Sequence, residues 1–415
     1  MSTAIHSTPA QRGPVVEFDH HSPVYAQNNW RIYDELRKRT PVAWTDAHGG
    51  FWVLSRYDDI ADVARDDIKF SSAENGITIP PTQQRSVPID LDPPEAQAYR
   101  AVLQPFFSPK AVRHWTACVE RWGTVCIDQV IERGRMDLIM DLANPLPALF
   151  TCEFIGLPIE NWETYARCMH EGVYTGPDNP DFARTRQELE WTVKNLYELV
   201  AQERRNPREA MLGNLVRAQV NGKLLTDEEI VSICFLLMAG GFDTTTGLAG
   251  NVFNYLGETP AIRQYLIDQP DKIPNAVEEF LRYFTPQQAL CRTAKQDVEI
   301  RGVRVRKGER VLLAWAAANH DPEAFEAPNE VRFDRFPNLH QAFGIGSHRC
   351  LGSHFARVEM CTMLHEVLTR LPDFTIAAGA ARYPSIGIVN GWINMPATFT
   401  PGPRKLPNER LPAKA

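Results

Sequence analysis

The sequence predicts a mainly α-helical fold with small β-sheets, and three observations support this. First, apolar residues recur at helical spacing along three long segments. Second, a Gly-containing turn at His48-Gly49-Gly50 separates two β-forming runs, which predicts a hairpin. Third, residues 319–346 form a long stretch with little periodicity, and such stretches in compact proteins are more often functional than idle. The long helices are predicted over Arg113–Arg133, Phe182–Arg204 and Thr226–Tyr255, and the hairpin strands over Val42–Trp44 and Phe51–Leu54.

The other elements follow from the same patterns. Thr226 precedes three acidic residues, the arrangement of an N-cap with a negative first turn. Residues 76–94 lack a period and are rich in Pro, Thr, Gln and Ser, which predicts a loop. Further helices are expected over Ile273–Tyr283 and Leu351–Leu371, short strands over Val298–Ile300, Val303–Val305 and Val311–Ala314, and a β-rich tail through Thr400.

Size and charge limit the possible functions. The chain has 415 residues with 44 basic and 51 acidic side chains, a formal net charge of −7. This balance argues against a nucleic-acid binder that neutralises phosphates. We expect one domain over 16–405, a leader over 1–15 and a flexible tail over 406–415. The N-terminus lacks the pattern of a signal peptide, and the apolar run Ile230–Phe242 is too short to span a bilayer, so the sequence predicts a cytoplasmic protein without a membrane anchor.

Eight cysteines are scattered without CxxC pairs, which is typical of reduced, buried cysteines. Cys350 differs, because the segment FGIGSHRCLG at 343–352 presents it on a glycine-rich turn just before an apolar helix. Backbone N–H groups at a helix start and nearby positive charge would stabilise a thiolate there. From the residues alone, a reactive or metal-ligating thiolate competes with two alternatives: a structural buried cysteine, and a zinc site that would use His340, His348, Cys350 and His354.

This segment resembles the haem-binding signature of the cytochrome P450 superfamily, F-G-x-G-x-H-x-C-x-G, at every fixed position. The resemblance implies a triangular prism of helices around a buried haem b. It implies that Cys350 is the axial ligand to the haem iron and that His348 hydrogen-bonds a haem propionate. Phe343 would pack near the sulfur, and Gly344 and Gly352 would let the backbone approach the flat cofactor.

A second motif lies in AVEEFLRY at 276–283. Glu279 and Arg282 are three residues apart and share a helix face, so they can pair. Alone, such a pair is usually an exposed surface contact of small energy. The segment resembles the E-x-x-R helix of the superfamily, which implies that Glu279, Arg282 and Arg335 form a buried charge network bracing the cysteine loop.

A third motif, GGFDTT at 240–245, interrupts the most apolar helix. Glycines followed by threonines are poor helix-interior residues, so the sequence accepts a local cost there. Close packing of a neighbouring helix would explain the glycines equally well. The segment resembles the acid–alcohol motif of the superfamily, which implies that Asp243 and Thr244 deliver protons to iron-bound dioxygen.

Basic residues are also needed for the haem carboxylates. Arg100 in DPPEAQAYR and Arg292 in CRTA resemble the propionate-binding arginines of the family. One departure is Ala96, where many bacterial relatives carry histidine, so one propionate contact is in question. The resemblance covers nearly the whole chain and favours the soluble bacterial branch that includes camphor hydroxylase, through segments such as AQVNG, LPDF and GIVNG.

The resemblance implies a monooxygenase that uses O2, a separate ferredoxin with its reductase, and a small to medium lipophilic substrate. Lys110, Arg113 and Arg349 would form the face that receives an acidic ferredoxin. Two buried glutamines facing an apolar ligand would favour an oxygenated, terpenoid-like molecule. A ligand sensor without turnover is disfavoured by GGFDTT, whereas oxidative coupling or dehydrogenation stays open. Candidate pocket residues are the loop 77–87, Met238, Gly241, Gln287, Gln288, Ala289, Leu290, Ile388 and Val389.

Overall fold

The computed structural model describes residues 13–82 and 85–413. Most of the predicted leader and part of the candidate pocket loop 77–87 lie outside the described residues. Within them, the prediction of a mainly α fold with small β-sheets is confirmed. The α-helices are α1 (Pro23–Arg39), α2 (Tyr57–Arg65), α3 (Glu95–Leu103), α4 (Pro109–Asp128), α5 (Pro145–Ile155), α6 (Trp162–Tyr174), α7 (Phe182–Arg205), α8 (Met211–Leu215), α9 (Asp227–Gly241), α10 (Asp243–Glu258), α11 (Pro260–Asp268), α12 (Ile273–Phe284), α13 (Trp315–Ala318) and α14 (Ser353–Arg370).

The strands are short and gather into small sheets. The largest has five strands in the order β1-β2-β10-β7-β3, and its β2–β10 pairing is parallel while the others are antiparallel. The predicted hairpin is confirmed, with Val42 opposite Leu54. The strands are β1 (Val42–Thr45), β2 (Phe51–Leu54), β3 (Phe70–Ser71), β4 (Arg135–Asp137), β5 (Gln219–Val220), β6 (Lys223–Leu224), β7 (Leu290–Ala294), β8 (Val298–Ile300), β9 (Val303–Val305), β10 (Arg310–Leu313), β11 (Thr375–Ile376), β12 (Ala381–Arg382), β13 (Trp392–Asn394) and β14 (Pro396–Thr398).

Helix α4 begins four residues before the predicted start, because its first turn is fixed by a capping residue and not by the spacing of apolar residues. The Ser108 side chain caps its first turn by accepting a hydrogen bond from the Ala111 N–H at 3.3 Å, and Pro109 occupies the first helical position. Serine at the cap followed by proline is a favoured helix start. The last helix, α14, begins at Ser353, two residues after the predicted start, because the cysteine loop continues through Gly352.

The long apolar helix is divided into two. Thr226 and Glu229 form a reciprocal capping box at the start of α9, and the backbone departs from ideal helical angles at Phe242 (φ −78°, ψ −68°) before α10 begins. Taken together, residues 227–258 are long and apolar enough to cross a membrane by length and composition alone. The most apolar window of this stretch is 56% buried within the protein, as in the core helix of a folded domain.

Two hydrophobic clusters meet at the cysteine loop. The larger joins the helices α3 to α12 and α14, and the smaller joins α1, α2, α13 and the five-stranded sheet. Phe343 and Leu351 pack against the helical cluster, whereas Ile345 packs against the sheet cluster. The loop that carries Cys350 therefore lies between the two cores, where both fix its position.

Candidate active site

The cysteine loop is a tight turn that only glycine can build at two points. Gly344 and Gly346 have left-handed backbone angles (φ 63° and 75°). A Cβ at Gly346 would also lie 2.5 Å from the carbonyl oxygen of Ala64 at the end of α2. The Cys350 N–H donates to the Phe343 carbonyl at 2.9 Å and closes the turn. These contacts hold the cysteine in one place just before α14.

Cys350 is a free cysteine, and the residue is exposed. Its desolvation raises the pKa of the thiol, while the Gly352 N–H and the positive charges of Arg100 and Arg349 lower that pKa. These favourable groups do not overcome the desolvation, so the loop by itself favours the neutral thiol. Coordination to a metal ion removes the proton from such a thiol outright.

Neither alternative for this cysteine is supported by the contacts. The exposed residue does not fit a buried structural cysteine. Across residues 13–82 and 85–413, no group of three or more His, Cys, Asp or Glu side chains is placed to hold a metal ion. His340 instead lies 3.2 Å from Glu278, away from a shared ligand set with Cys350.

Two arginines and a histidine lie close to the cysteine. Arg292 is 4% exposed and donates to the Cys291 carbonyl, and Arg100 donates to the Arg349 carbonyl, both at 2.7 Å. Burial lowers the pKa of both guanidiniums. Burial, together with the charges of these two arginines, lowers the pKa of His348 to about 4, and its Nε2 atom is buried without a hydrogen-bond partner. The cluster thus combines two positive side chains with an unpartnered imidazole nitrogen, an arrangement that suits an anionic ligand.

The three charged residues predicted to brace the loop are in contact. Arg282 makes two parallel hydrogen bonds to Glu279 at 2.7 and 2.8 Å, and Arg335 Nε lies 3.2 Å from the same carboxylate. The side chains of Glu279 and Arg282 are 1% and 0% exposed. Arg282 also donates to the carbonyls of Asn319 and Pro328, which ties α12 to the irregular segment before the cysteine.

Phe343 is held by a neighbouring ion pair. The guanidinium of Arg357 lies 4.7 Å from the centre of the Phe343 ring, a distance suited to a cation–π contact. Arg357 also donates to Glu278 at 2.8 Å, and these contacts contribute to lowering the pKa of Glu278 to about 2 against its partial burial. Phe343 therefore has a fixed place at the start of the turn.

The break between α9 and α10 has free space beside it. The Thr244 hydroxyl donates to the Gly240 carbonyl at 2.8 Å, so the side chain replaces part of the regular helical bonding at the break. Gly241 is partly exposed, and a Cβ there would meet only the Thr151 hydroxyl at 3.7 Å. Space remains beside the break, which the alternative of close helix packing through Gly241 would not leave.

The side chains of Asp243 and Thr244 contact different parts of the protein. It is 1% exposed, and its carboxylate faces His170 Nδ1 at 2.7 Å and accepts a hydrogen bond from the Tyr383 hydroxyl at 2.8 Å. Neither partner was predicted, because His170 and Tyr383 lie 73 and 140 residues from Asp243 and belong to no motif. A single histidine in a helix carries no signal that could have identified it.

A second buried acidic residue near the helix break was also not predicted from the sequence. Glu359 on α14 is 4% exposed, and its burial raises the pKa of its carboxyl to about 8, although a hydrogen bond with Thr245 lowers it. The carboxyl is therefore neutral at pH 7. Thr245 follows the acid–alcohol pair directly, so this protonated acid lies next to the helix break.

The two glutamines predicted for the substrate pocket both form hydrogen bonds within the protein. Gln288 is fully buried, and its amide is used within the protein: its Nε2 donates to the Phe284 and Thr285 carbonyls, and its Oε1 accepts from Asn29 at 3.0 Å. The expectation that this amide faces a ligand is therefore corrected. Gln287 donates to the Ala289 carbonyl at 3.0 Å.

The remaining pocket candidates differ in exposure. Val389 is 2% exposed and packs against Gly247 of α10, where a Cβ would lie 2.8 Å from its Cγ1 atom. Ile388, by contrast, is 44% exposed. Met238 and Ala289 are buried, and Leu290 is partly exposed.

Comparison with known proteins gives a consistent result. A family model described as Cytochrome P450 matches residues 173–372. Cytochrome P450 109 of Bacillus spizizenii is 31% identical over 382 residues, covering 91% of this chain and 90% of that protein. A steroid C26-monooxygenase of Mycolicibacterium smegmatis is 31% identical over 387 residues, with 91% and 94% covered. The crystal structure of CYP109E1 from Bacillus megaterium with testosterone superposes with a TM-score of 0.82 at 30% identity, covering 91% and 99%.

The chain belongs to the cytochrome P450 family, and it is a P450 monooxygenase with the fold of that family. Members of the family bind haem, and the residues present here fit that group. The cysteine is available as a ligand, the unpartnered His348 Nε2, the buried Arg292 and the partly exposed Arg100 suit carboxylates, and the glycines leave room for a flat molecule.

Proposed function

We propose that the protein is a haem b-dependent monooxygenase of the soluble bacterial type that hydroxylates a small to medium lipophilic substrate with O2. The observation that carries this proposal is the juxtaposition of the exposed Cys350 with the two positive side chains of Arg100 and Arg292 and the unpartnered imidazole of His348. Haem held there supplies oxygen activation, and the thiolate ligand favours O–O cleavage. Oxidative coupling or dehydrogenation by the same site is the alternative.

The residues around the cofactor have distinct roles in this proposal. Cys350 is the iron ligand, and Phe343, Gly344 and Gly352 shape the turn around its sulfur. Arg100, Arg292 and His348 bind the propionates. Because Ala96 offers no side-chain donor, these three carry the propionate charge without help from that position.

Asp243 and Thr244, the acid–alcohol pair, are proposed to transfer protons into the active site. Thr244 lies at the helix break with its hydroxyl on the Gly240 carbonyl, where a small rotation would present the hydroxyl to a ligand in the space beside Gly241. Asp243 is the nearest carboxylate along the chain and is the source of the protons that Thr244 passes on. In this proposal protons reach the active site through the Thr244 hydroxyl, and bulk water is kept out of the remainder of the site.

The substrate is proposed to be an apolar molecule of terpenoid or steroid size. Met238, Gly241, Ala289, Leu290, Ile388 and the partly exposed Gln287 are retained as pocket candidates. The correction for Gln288 leaves Gln287 as the glutamine able to bind an oxygen function. One similar protein is a steroid C26-monooxygenase, and another was solved with testosterone, which supports a lipophile of this class.

Electrons are proposed to come from a separate ferredoxin and its reductase in the cytoplasm. Lys110, Arg113 and Arg349 are exposed, and Arg349 is adjacent to Cys350 in the chain. Positive side chains near the ligand loop would attract an acidic ferredoxin and orient it toward the cofactor.

The function is tested with a panel of terpenoids and steroids. We expect at least one to displace the iron-bound water of the holoenzyme, seen as a shift of the Soret band, and to yield a product carrying one atom of labelled oxygen from 18O2 when ferredoxin and reductase are supplied. A product without label would favour dehydrogenation or coupling. Consumption of O2 without any product from a tightly bound lipophile would contradict the proposal.

Thr244→Ala is expected to keep haem and substrate binding and to divert most reducing equivalents to hydrogen peroxide. The reason is that proton delivery fails while oxygen binding does not, and positioned proton donors contribute about 10²–10⁴-fold. The measurement is the ratio of product and peroxide to NADH consumed. Thr259→Ala is the control, because the Thr259 hydroxyl donates to the Tyr255 carbonyl at the other end of α10, away from the break. Tight coupling in Thr244→Ala would contradict the assigned role.

A further inference from the structure

The buried contact between His170 and Asp243 contains a proton that the contacts themselves require. His170 Nε2 lies 3.1 Å from the Ile393 carbonyl, which can only accept, so this nitrogen carries hydrogen. His170 Nδ1 lies 2.7 Å from Asp243 Oδ1. Two bare acceptors would repel at this distance. The pair therefore holds one further proton, either as imidazolium with carboxylate or as imidazole with carboxylic acid.

Tyr383 fixes the carboxylate in this contact. Its hydroxyl lies 2.8 and 3.0 Å from the two oxygens of Asp243 and 2.9 Å from His170 Nδ1. Burial and the charge of Asp243 raise the pKa of Tyr383 well above its ordinary value, so the phenol stays protonated and donates. The three side chains are 1% to 2% exposed and come from α6, α10 and the segment after β12.

Charged and titratable groups around His170 favour its charged form. Burial lowers the pKa of His170, but the charge and hydrogen bond of Asp243 and the carbonyl of Ile393 raise it above its ordinary value, with a smaller contribution from Glu171. Glu171 is itself paired with Arg184 at 2.9 Å. Tyr174, whose ring edge meets His170 and stacks on Tyr383, completes the surroundings and is partly exposed.

We propose that His170 is a positioning residue that stores and supplies the proton which Asp243 passes to Thr244, with Tyr383 holding the carboxylate in place. In the transfer, the N–H bond at His170 Nδ1 breaks and an O–H bond forms at Asp243 Oδ1. The neutral acid then turns from Tyr383 toward Thr244. A hydronium ion of the solvent returns a proton to His170 from the side of Tyr174 and leaves water, so the cycle consumes only the protons that monooxygenation requires.

This inference rests on the proposed monooxygenase function, but its first test does not depend on turnover. The side-chain nitrogens of 15N-histidine are observed by NMR in the carbon monoxide complex of the reduced holoenzyme, with the His170 signal assigned by its loss in His170→Gln. We expect His170 to titrate above pH 6.5 in the wild type and below it in Asp243→Asn, where burial acts alone. A neutral His170 at pH 6, or the same titration in both proteins, would overturn the proposal.

The second test uses turnover with a substrate that binds the holoenzyme. His170→Gln keeps a donor to Asp243 but cannot release a proton, so we expect kcat to fall about tenfold or more with KM unchanged and a larger solvent isotope effect. The wild-type rate should decline as pH rises through the pKa of His170, and this decline should be absent in the variant. Equal kcat and identical pH profiles would overturn the proposal.

Tyr383→Phe and Tyr174→Phe form a matched pair that does not rely on His170→Gln folding well. Removing the Tyr383 hydroxyl takes one hydrogen-bond donor away from the Asp243 carboxylate, which becomes a stronger base. The carboxylate then stabilises protonated His170 more strongly, so the NMR titration of His170 shifts to higher pH. Tyr174→Phe leaves the contact intact and should titrate like the wild type. Equal shifts in both variants would count against the role of Tyr383. If the carbon monoxide complex lacked the red-shifted Soret band of a thiolate-ligated haem, the proposed function would fail, whereas the titration of His170 in that complex could still be read.

Discussion

Replacing Glu279 by glutamine is expected to lower the free energy of unfolding by about 3–5 kcal/mol, because two buried guanidiniums lose their counter-charge. Arg282 has no route to solvent at 0% exposure, and Arg335 is 8% exposed in side chain. Removing one partner of a buried ion pair leaves an uncompensated charge, which costs more than the pair contributes when intact. A typical domain has only about 5–15 kcal/mol of stability, so this loss is large.

The measurement is urea unfolding followed by circular dichroism, together with haem content of the purified variant. Glu35→Gln is the control, since Glu35 on α1 also pairs with an arginine. Its partner Arg39 is 78% exposed and stays hydrated after the change, so a loss of about 1 kcal/mol or less is expected. Similar losses in both variants would contradict the view that Glu279 neutralises buried charge.

Replacing Cys350 by serine is expected to abolish the strongly red-shifted Soret band of the dithionite-reduced, carbon monoxide-treated protein and to reduce substrate oxidation to background. A serine hydroxyl does not ionise as a thiol does on metal coordination, and it cannot donate the electron density that a thiolate provides. The backbone of the turn should be retained, because its closing hydrogen bond joins main-chain atoms of Cys350 and Phe343.

Cys361→Ser is the control for this experiment. Cys361 lies on α14, eleven residues after Cys350, is partly buried and has a thiol pKa raised by burial to about 11. We expect its absorption spectrum to match the wild type. A red-shifted band that survived in Cys350→Ser, or one that disappeared equally in both variants, would contradict the assignment of Cys350 as the iron ligand.

The sequence predicted best those features whose cause is local. Strands β8 and β9 have the predicted bounds, because the turn between them is set by Arg301 and Gly302, both with left-handed backbone angles. The contact between Glu279 and Arg282 follows from helical spacing, and the cysteine turn follows from its glycines. The position of Arg335 beside Glu279 was implied by the family resemblance alone, since 56 residues separate them.

Features that depend on which distant segments meet were not predictable. The orientation of Gln288 is decided by Asn29 and Tyr25 on α1, which are 259 and 263 residues away. The spacing of apolar residues along the sequence predicts which side chains are buried. It does not predict which distant group forms the hydrogen bonds of a buried polar side chain. For the same reason the partners of Asp243 were missed, although the helix break that positions this acid was visible as Gly240 and Gly241.

The break at Phe242 also bears on how the nascent chain is sorted during synthesis. Helix α9 has 15 residues and α10 has 16, so at about 1.5 Å per residue each reaches about 24 Å or less, below the roughly 30 Å thickness of a hydrocarbon core. As one continuous helix, the segment would be long enough for recognition by the translocon. Asp243 lies at its middle, where a carboxylate disfavours insertion by about 2.5–3.5 kcal/mol. Asp243, the proposed proton source, would thus also disfavour insertion of this segment into a membrane.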